Sequence, residues 1–201
     1  MTSTRRPPER LRRGGYACGV YTFLVWFLDA LPLIVFTALL AGLVTLPLAA
    51  IKARSTGWGA AVRATLPDAV LLLALGTIAI LTLGNPMGPQ PDRINLIPFR
   101  DQFWALQGQI DPALATATLL ANIILFIPLG AALAARFPAA SGWGLLAVAA
   151  FVSLTVEGAQ AALDIGRLAD VTDVLANTAG AAVGIGTWGA ISAASPNERS
   201  I

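Results

Sequence analysis

The chain has 201 residues, of which 56% are hydrophobic and 12% are charged, and its mean hydropathy is +0.72. A soluble domain carries about a quarter charged residues, so the composition favours an integral membrane protein. So hydrophobic a chain also argues against a nucleic-acid-binding surface, and its net charge of +2 is small. One cysteine and no histidine exclude an internal disulfide and a zinc site built on Cys or His.

The N-terminal part divides into a basic tail over 1–15 and the first membrane segments over 16–84. The tail contains TRRPPERLRR, with five arginines and one glutamate, which is typical of a membrane-surface anchor or a topology signal. Tyr16–Leu28 is apolar but gives only about 20 Å of helix, and Asp29 and Pro32 separate it from the next apolar run. We interpret it as an interfacial or re-entrant helix, with a sixth, hairpinned span as the alternative.

Five later apolar runs are each about long enough to cross a hydrocarbon core of about 30 Å, which takes about 20 helical residues. Backbone groups cannot stay unpaired in lipid, so each run is expected to be a helix. The sequence therefore predicts an all-α polytopic membrane helix bundle of about five spans, with its core over 85–194 and a C-terminal tail over 195–201. The runs are Leu31–Ile51, Asp68–Gly84, Thr118–Phe137, Ser141–Leu163 and Asp173–Ala194.

The connectors over 85–117 and 164–172 are separated by two spans, so they face the same side of the membrane. Basic residues outweigh acids on the other side, where the connector over 52–67 holds Lys52, Arg54 and Arg63. Because basic loops favour the cytoplasm, the connectors over 85–117 and 164–172 are expected outside. Five spans would also place the basic tail outside, against this rule, and a sixth span would remove the conflict.

Polar side chains from three spans are expected at one depth below this face. Asn122 lies about one turn inside the third span, and Asn177 lies one turn inside the fifth. Glu157 and Gln160 lie within two turns of the end of the fourth. At about 1.5 Å per residue, the level is about 6–9 Å deep. A carboxylate there is a functional candidate, because burying it is costly unless it is paired or protonated.

The fifth span carries a polar stripe that ends in glycines. Asp170, Asp173, Asn177, Gly180 and Gly184 are spaced three or four residues apart and share one helix face. The glycines form a small-xxx-small contact that lets another helix approach closely. Two interpretations stay open: a functional pocket, or a structural lock in which the aspartates cap the helix and the asparagines join helices.

The long connector carries the segment RINLIPFRDQF. Its Asn95 can bond its own backbone in a turn. Arg100, together with Arg167 of the second connector, can bind phosphate or carboxylate and can pair with Glu157. A hydrated interfacial loop would show the same pattern.

Four segments in order resemble the VanZ-like family of bacterial membrane proteins, namely NLIPFR (95–100), NIILFIPLG (122–130), EGAQ (157–160) and GRLADVTDVLANTAGAAVG (166–184). The last is the most specific, because its R-x2-D-x2-D-x3-N-x2-G-x3-G spacing fits the family pattern. Family members often have a second acid where this chain has Thr172, and leucine-like residues at Gly158 and Ala159. The first departure leaves a weaker acidic cluster and disfavours a metal site. The resemblance covers roughly residues 85–190.

The resemblance implies a multi-pass plasma-membrane protein with outward polar motifs, and the family's named member is linked to low-level teicoplanin resistance. We expect a non-enzymatic cell-envelope protein without cofactor or metal and with membrane lipids as partners. Its outward pocket is expected to bind a cell-wall precursor, a lipid headgroup or a lipoglycopeptide. One alternative is an enzyme acting on a polyprenyl-phosphate headgroup, with Glu157 as base and Asp170 and Asp173 holding Mg²⁺. Another is a transporter. The expected ligand-binding residues are Asn95, Arg100, Asn122, Glu157, Gln160, Arg167, Asp170, Asp173 and Asn177.

Overall fold

A computed structural model describes residues 9–84, 93–163 and 166–194, with side chains from residue 28 onward. The expected N-terminal tail lies mostly outside the described residues, and the expected C-terminal tail lies wholly outside them. In chain order the elements are α1 (Glu9–Thr56), α2 (Trp58–Leu83), β1 (Ile94–Asn95), α3 (Arg100–Leu106), α4 (Pro112–Arg136), α5 (Gly142–Leu163), β2 (Ala169–Asp170) and α6 (Val171–Ala194).

The described residues contain five helices long and apolar enough to cross a membrane: α1 from Leu28 onward, α2, α4, α5 and α6. This confirms the predicted helical membrane bundle. Asp29 and Pro32 do not interrupt α1, so Tyr16–Leu28 continues into the first span instead of forming a hairpin against it. A proline inside a membrane helix removes one N–H, and the surrounding backbone can adjust around the freed carbonyl.

The connection between α1 and α2 is the single residue Gly57, whose φ of 79° lies in the left-handed region that glycine adopts at no steric cost. The prediction of a connector over 52–67 is therefore wrong, because α1 extends to Thr56 and α2 begins at Trp58. Pro67 lies inside α2 and does not end it. The two helices pack closely, since a Cβ added to Gly76 would overlap the side chain of Thr37.

The core lies where α2, α4, α5 and α6 meet. Its largest fully buried apolar side chains are Ile78 of α2 and Phe126 and Leu129 of α4. Ala149 of α5 and Ala181 of α6 are also fully buried and fill the space between these larger groups. Small residues at helix contacts let backbones approach, which is how helices pack in a bilayer without a hydrophobic driving force.

The closest helix contact is between α4 and α6. A Cβ added to Gly180 would overlap the carbonyl oxygen of Ile123, and one added to Gly184 would overlap that of Ile127. From the α4 side, a Cβ on Gly130 would overlap the carbonyl oxygen of Ala181. The crossing therefore depends on glycines from both helices.

Helices α2 and α5 end at one face of the bundle, and helices α4 and α6 begin there. We call this face the cleft face. Strands β1 and β2 and helix α3 lie in its two connectors. At the opposite face Arg136 Nε lies 2.6 Å from Asp68 Oδ1 and joins the end of α4 to α2. With five spans, the N-terminal end of α1 lies on the same side as the cleft face.

Candidate functional site

The two connectors of the cleft face are joined by a short parallel pairing in which Asn95 lies opposite Asp170. Asn95 is 3% exposed, and its Nδ2 donates to Asp170 Oδ2 at 2.9 Å. Its Oδ1 accepts from the Ile97 N–H at 3.1 Å, as expected for an asparagine that closes its own turn. Asn95 therefore fixes the shape of its own connector and attaches it to the other.

Asp170 links this pairing to the spans. Its backbone N–H donates to Glu157 Oε2 at 2.8 Å, so a carboxylate near the end of α5 holds the strand β2. Its Oδ1 accepts from the Thr172 N–H at 2.7 Å, which caps the beginning of α6. With Oδ2 bonded to Asn95, both oxygens of Asp170 have partners within the protein.

Thr172, where the family pattern often has an acid, has a structural role. Its hydroxyl oxygen accepts from the Phe99 N–H at 2.9 Å. Phe99 has a φ of 57°, a left-handed conformation that is uncommon for a bulky residue, and it directly precedes α3. The threonine thus helps to hold the first connector where α3 begins. Sequence reasoning missed it, because its partner is a backbone group distant in the chain.

A cleft of about 400 Å³ opens beside this network at the cleft face. It brings together five of the predicted site residues and several that were not predicted. The predicted members are Arg100, Gln160, Arg167, Asp170 and Asp173, and the others include Asp101, Trp104, Ile110 and Thr118. Four other predicted residues do not line the cleft, namely Asn95, Asn122, Glu157 and Asn177.

Arg167 is half-buried in the second connector, close to the carboxylates of Asp173 and Glu157. Burial lowers the pKa of Arg167 from its ordinary value, because removal from water disfavours the charged guanidinium. The two nearby carboxylates act in the opposite direction and raise that pKa. The ordinary pKa of an arginine lies so far above neutral pH that its guanidinium stays charged. Arg167 therefore gives the cleft a fixed positive charge.

Arg100 supplies the second guanidinium. Its Cζ lies 4.6 Å from the centre of the Trp104 ring, which is cation–π geometry. Its Nε lies 3.5 Å from Asp101 Oδ1, a long contact for an ion pair. Trp104 and Asp101 of α3 thus lie against the arginine, whereas the sequence had suggested Glu157 as its partner.

Below the cleft, polar groups continue into the bundle. Asn177 is 2% exposed, and its Nδ2 donates to the hydroxyl oxygen of Ser153 at 2.9 Å. Asn122 lies beside the Asp173 carboxyl, although its buried Nδ2 forms no hydrogen bond of standard geometry. Ser153 was missed, but a signal existed: it lies one turn before Glu157 on the same face of α5.

Gln160 connects the cleft to α2. It is 4% exposed, lines the cleft, and donates from Nε2 to the backbone carbonyl of Thr82 at 3.0 Å. The Thr82 hydroxyl donates to the Ile78 carbonyl within α2, so the threonine side chain is itself satisfied. The end of α5 is therefore attached to the end of α2 at the cleft face.

A metal centre would need a cluster of suitable ligands. Over residues 9–84, 93–163 and 166–194, no group of three or more His, Cys, Asp or Glu side chains is arranged to hold a metal ion.

Five apolar spans with a polar cleft at one end define a polytopic helical membrane protein. The chain belongs to the VanZ-like family, since the family model VanZ/LLP1 matches residues 33–192. This match extends further toward the N-terminus than the four motif segments do, and it includes most of the first span. No curated protein and no solved structure matches the chain.

Proposed function

We propose that this protein binds an anionic headgroup in the cleft, without catalysing a reaction, as a component of the bacterial plasma membrane. The headgroup would belong to a cell-wall precursor, a membrane lipid or a lipoglycopeptide, and its binding would contribute to resistance to glycopeptides such as teicoplanin. The observation that carries the proposal is a cleft of about 400 Å³ into which two arginines, Arg100 and Arg167, project from separate connectors.

The charges of the cleft support an anionic ligand. Asp173 and Glu157 face Arg167, and Asp101 lies beside Arg100, so each guanidinium has a carboxylate that orients it. Guanidinium groups have five N–H donors and match phosphate and carboxylate geometry, so two arginines that line one cleft suit an anionic ligand. The Trp104 ring covers one face of Arg100 and directs its binding to the planar edge.

The network around the cleft supports binding over catalysis. Glu157, the base in the enzyme alternative, accepts the Asp170 N–H through Oε2, and both oxygens of Asp170 are bonded within the protein. These carboxylates hold the connectors in position. Connectors held by hydrogen bonds favour recognition, because less of the site has to be ordered when a ligand binds.

The test is a susceptibility assay in the native host. Deletion of the gene should increase sensitivity to teicoplanin, and so should the substitution Arg167→Gln. The substitution removes a charge-assisted hydrogen bond, which contributes about 1.5–3 kcal/mol, or about 10- to 100-fold in affinity. Arg136→Gln is the matched control, because Arg136 pairs with Asp68 at the opposite face and does not line the cleft.

Wild-type susceptibility in both the deletion strain and the Arg167→Gln strain would refute the resistance part of the proposal. Binding is tested separately, by measuring retention of phosphatidylglycerol in nanodiscs. Equal retention by wild type and Arg167→Gln would refute the cleft as the binding site of a membrane-lipid headgroup.

A further inference from the structure

A second, apolar groove of about 280 Å³ lies between α2 and α5, and its lining residues Leu75 and Phe151 are exposed on the outside of the bundle. Residues of α2 from Leu75 to Leu83 form one wall, and residues of α5 from Phe151 to Val156 form the other. The one polar lining side chain is Thr155, whose hydroxyl donates to the Phe151 carbonyl at 2.8 Å. The groove therefore offers a hydrocarbon surface with no unsatisfied polar group among its lining side chains.

The groove has the length and direction of a leaflet chain. Leu83 is the last residue of α2, at the cleft face, and Leu75 lies eight residues deeper. At about 1.5 Å per residue this is about 12 Å, most of the half-thickness of a hydrocarbon core of about 30 Å. A chain in the groove would run from the cleft face toward the bilayer midplane.

The end of the groove lies close to the cleft along α5. Val156 lines the groove, and Gln160, one turn further along α5 on the same face, lines the cleft. The hydrogen bond from Gln160 to the Thr82 carbonyl crosses from α5 to α2 at this point. The groove therefore ends within one helical turn of the cleft.

We propose that the ligand of the cleft is an anionic membrane phospholipid, with its phosphate at Arg100 and Arg167 and one hydrocarbon chain in the groove between α2 and α5. This rests on the proposed function and specifies its ligand class. Lipid tails are as apolar as the groove, so transfer from the bilayer does not draw the chain in. The position of the headgroup places the chain there, and the shape of the groove then accepts it.

The experiment compares lipid retention by variants released from nanodiscs of phosphatidylcholine and phosphatidylglycerol, with bound lipid counted by native mass spectrometry. Ala79→Phe fills the groove from an exposed position of α2, and Leu75→Trp fills its deeper end. Ala147→Phe is the matched control, on an exposed position of α5 that does not line the groove. Thermal unfolding shows that each variant is folded.

Wild type and Ala147→Phe should retain phosphatidylglycerol. Ala79→Phe and Leu75→Trp should each retain less, because the new side chain takes the space that the chain of a lipid held at the two arginines would occupy. Binding of glycerophosphoglycerol, the phosphodiester headgroup of phosphatidylglycerol without its chains, should be unchanged in both groove variants. Retention by both groove variants equal to that of Ala147→Phe would overturn the chain site. If Arg167→Gln still lost the lipid in that case, headgroup binding in the cleft would stand.

Discussion

Replacing Gly180 by alanine tests the α4–α6 crossing, on which the position of the cleft depends. The new Cβ would overlap the carbonyl oxygen of Ile123, which is backbone and cannot rotate away as a side chain can. The helices must therefore separate or tilt. Inserting a methyl group into a well-packed contact costs about 1–3 kcal/mol.

Glycine-to-alanine changes also have a favourable effect, since alanine is the better helix former by about 1 kcal/mol. Gly186 provides the control for this effect, because it lies in the same helix and a Cβ there meets nothing within 4 Å. The propensity gain is the same for both substitutions. The difference between Gly180→Ala and Gly186→Ala should therefore be about 1–3 kcal/mol, with Gly180→Ala the less stable variant.

The assay is equilibrium unfolding in mixed micelles, followed by circular dichroism. Gly184→Ala should resemble Gly180→Ala, since its Cβ would overlap the Ile127 carbonyl. The double variant should lose less than the sum of the two, because both substitutions separate the same pair of helices. Equal stability of Gly180→Ala and Gly186→Ala would show that α4 and α6 are not in backbone contact and would refute this reasoning.

Two further predictions concern hydrogen bonds at opposite faces. Asn95→Ala removes the bond to Asp170 Oδ2 and the turn bond to Ile97. It should therefore destabilise the protein by about 2–3 kcal/mol in the same unfolding assay and lower phosphatidylglycerol retention. Asn95→Asp keeps only the acceptor and should be no more stable than Asn95→Ala. Arg136→Gln removes an ion pair in which the arginine side chain is 47% exposed, so it should cost less than about 1 kcal/mol and leave lipid retention unchanged. A loss as large as that of Asn95→Ala would contradict the second prediction.

The spans were predictable because lipid imposes a simple requirement: a long apolar run must pair its own backbone groups. The ends were less predictable. Trp58 begins α2 well before the predicted Asp68, since a short amphipathic stretch and Pro67 resemble a connector when read by hydropathy alone. The single-residue connection at Gly57 depends on a left-handed backbone conformation, which hydropathy does not report.

Parts of the site's arrangement followed from depth and helical spacing. The prediction brought Arg100, Arg167 and Asp173 to one face, and these residues line one cleft. The pairing of β1 with β2 was not predictable, because two-residue strands carry no periodicity. The role of Thr172 was not predictable either, because its partner is the Phe99 N–H and every non-proline residue has such a donor. The ligand-binding roles of these residues stay predictions.

The direction of the spans determines when the cleft can form during synthesis. Helices α4 and α6 both begin at the cleft face, so they run parallel, and α5 must cross back between them in the chain. The glycines of α6 contact backbone carbonyls of α4, and this contact can form only after α6 has entered the bilayer. A chain arrested after α5 would therefore be an inserted four-span protein without Arg167 held in place, and the cleft would be the last feature of the bundle to assemble.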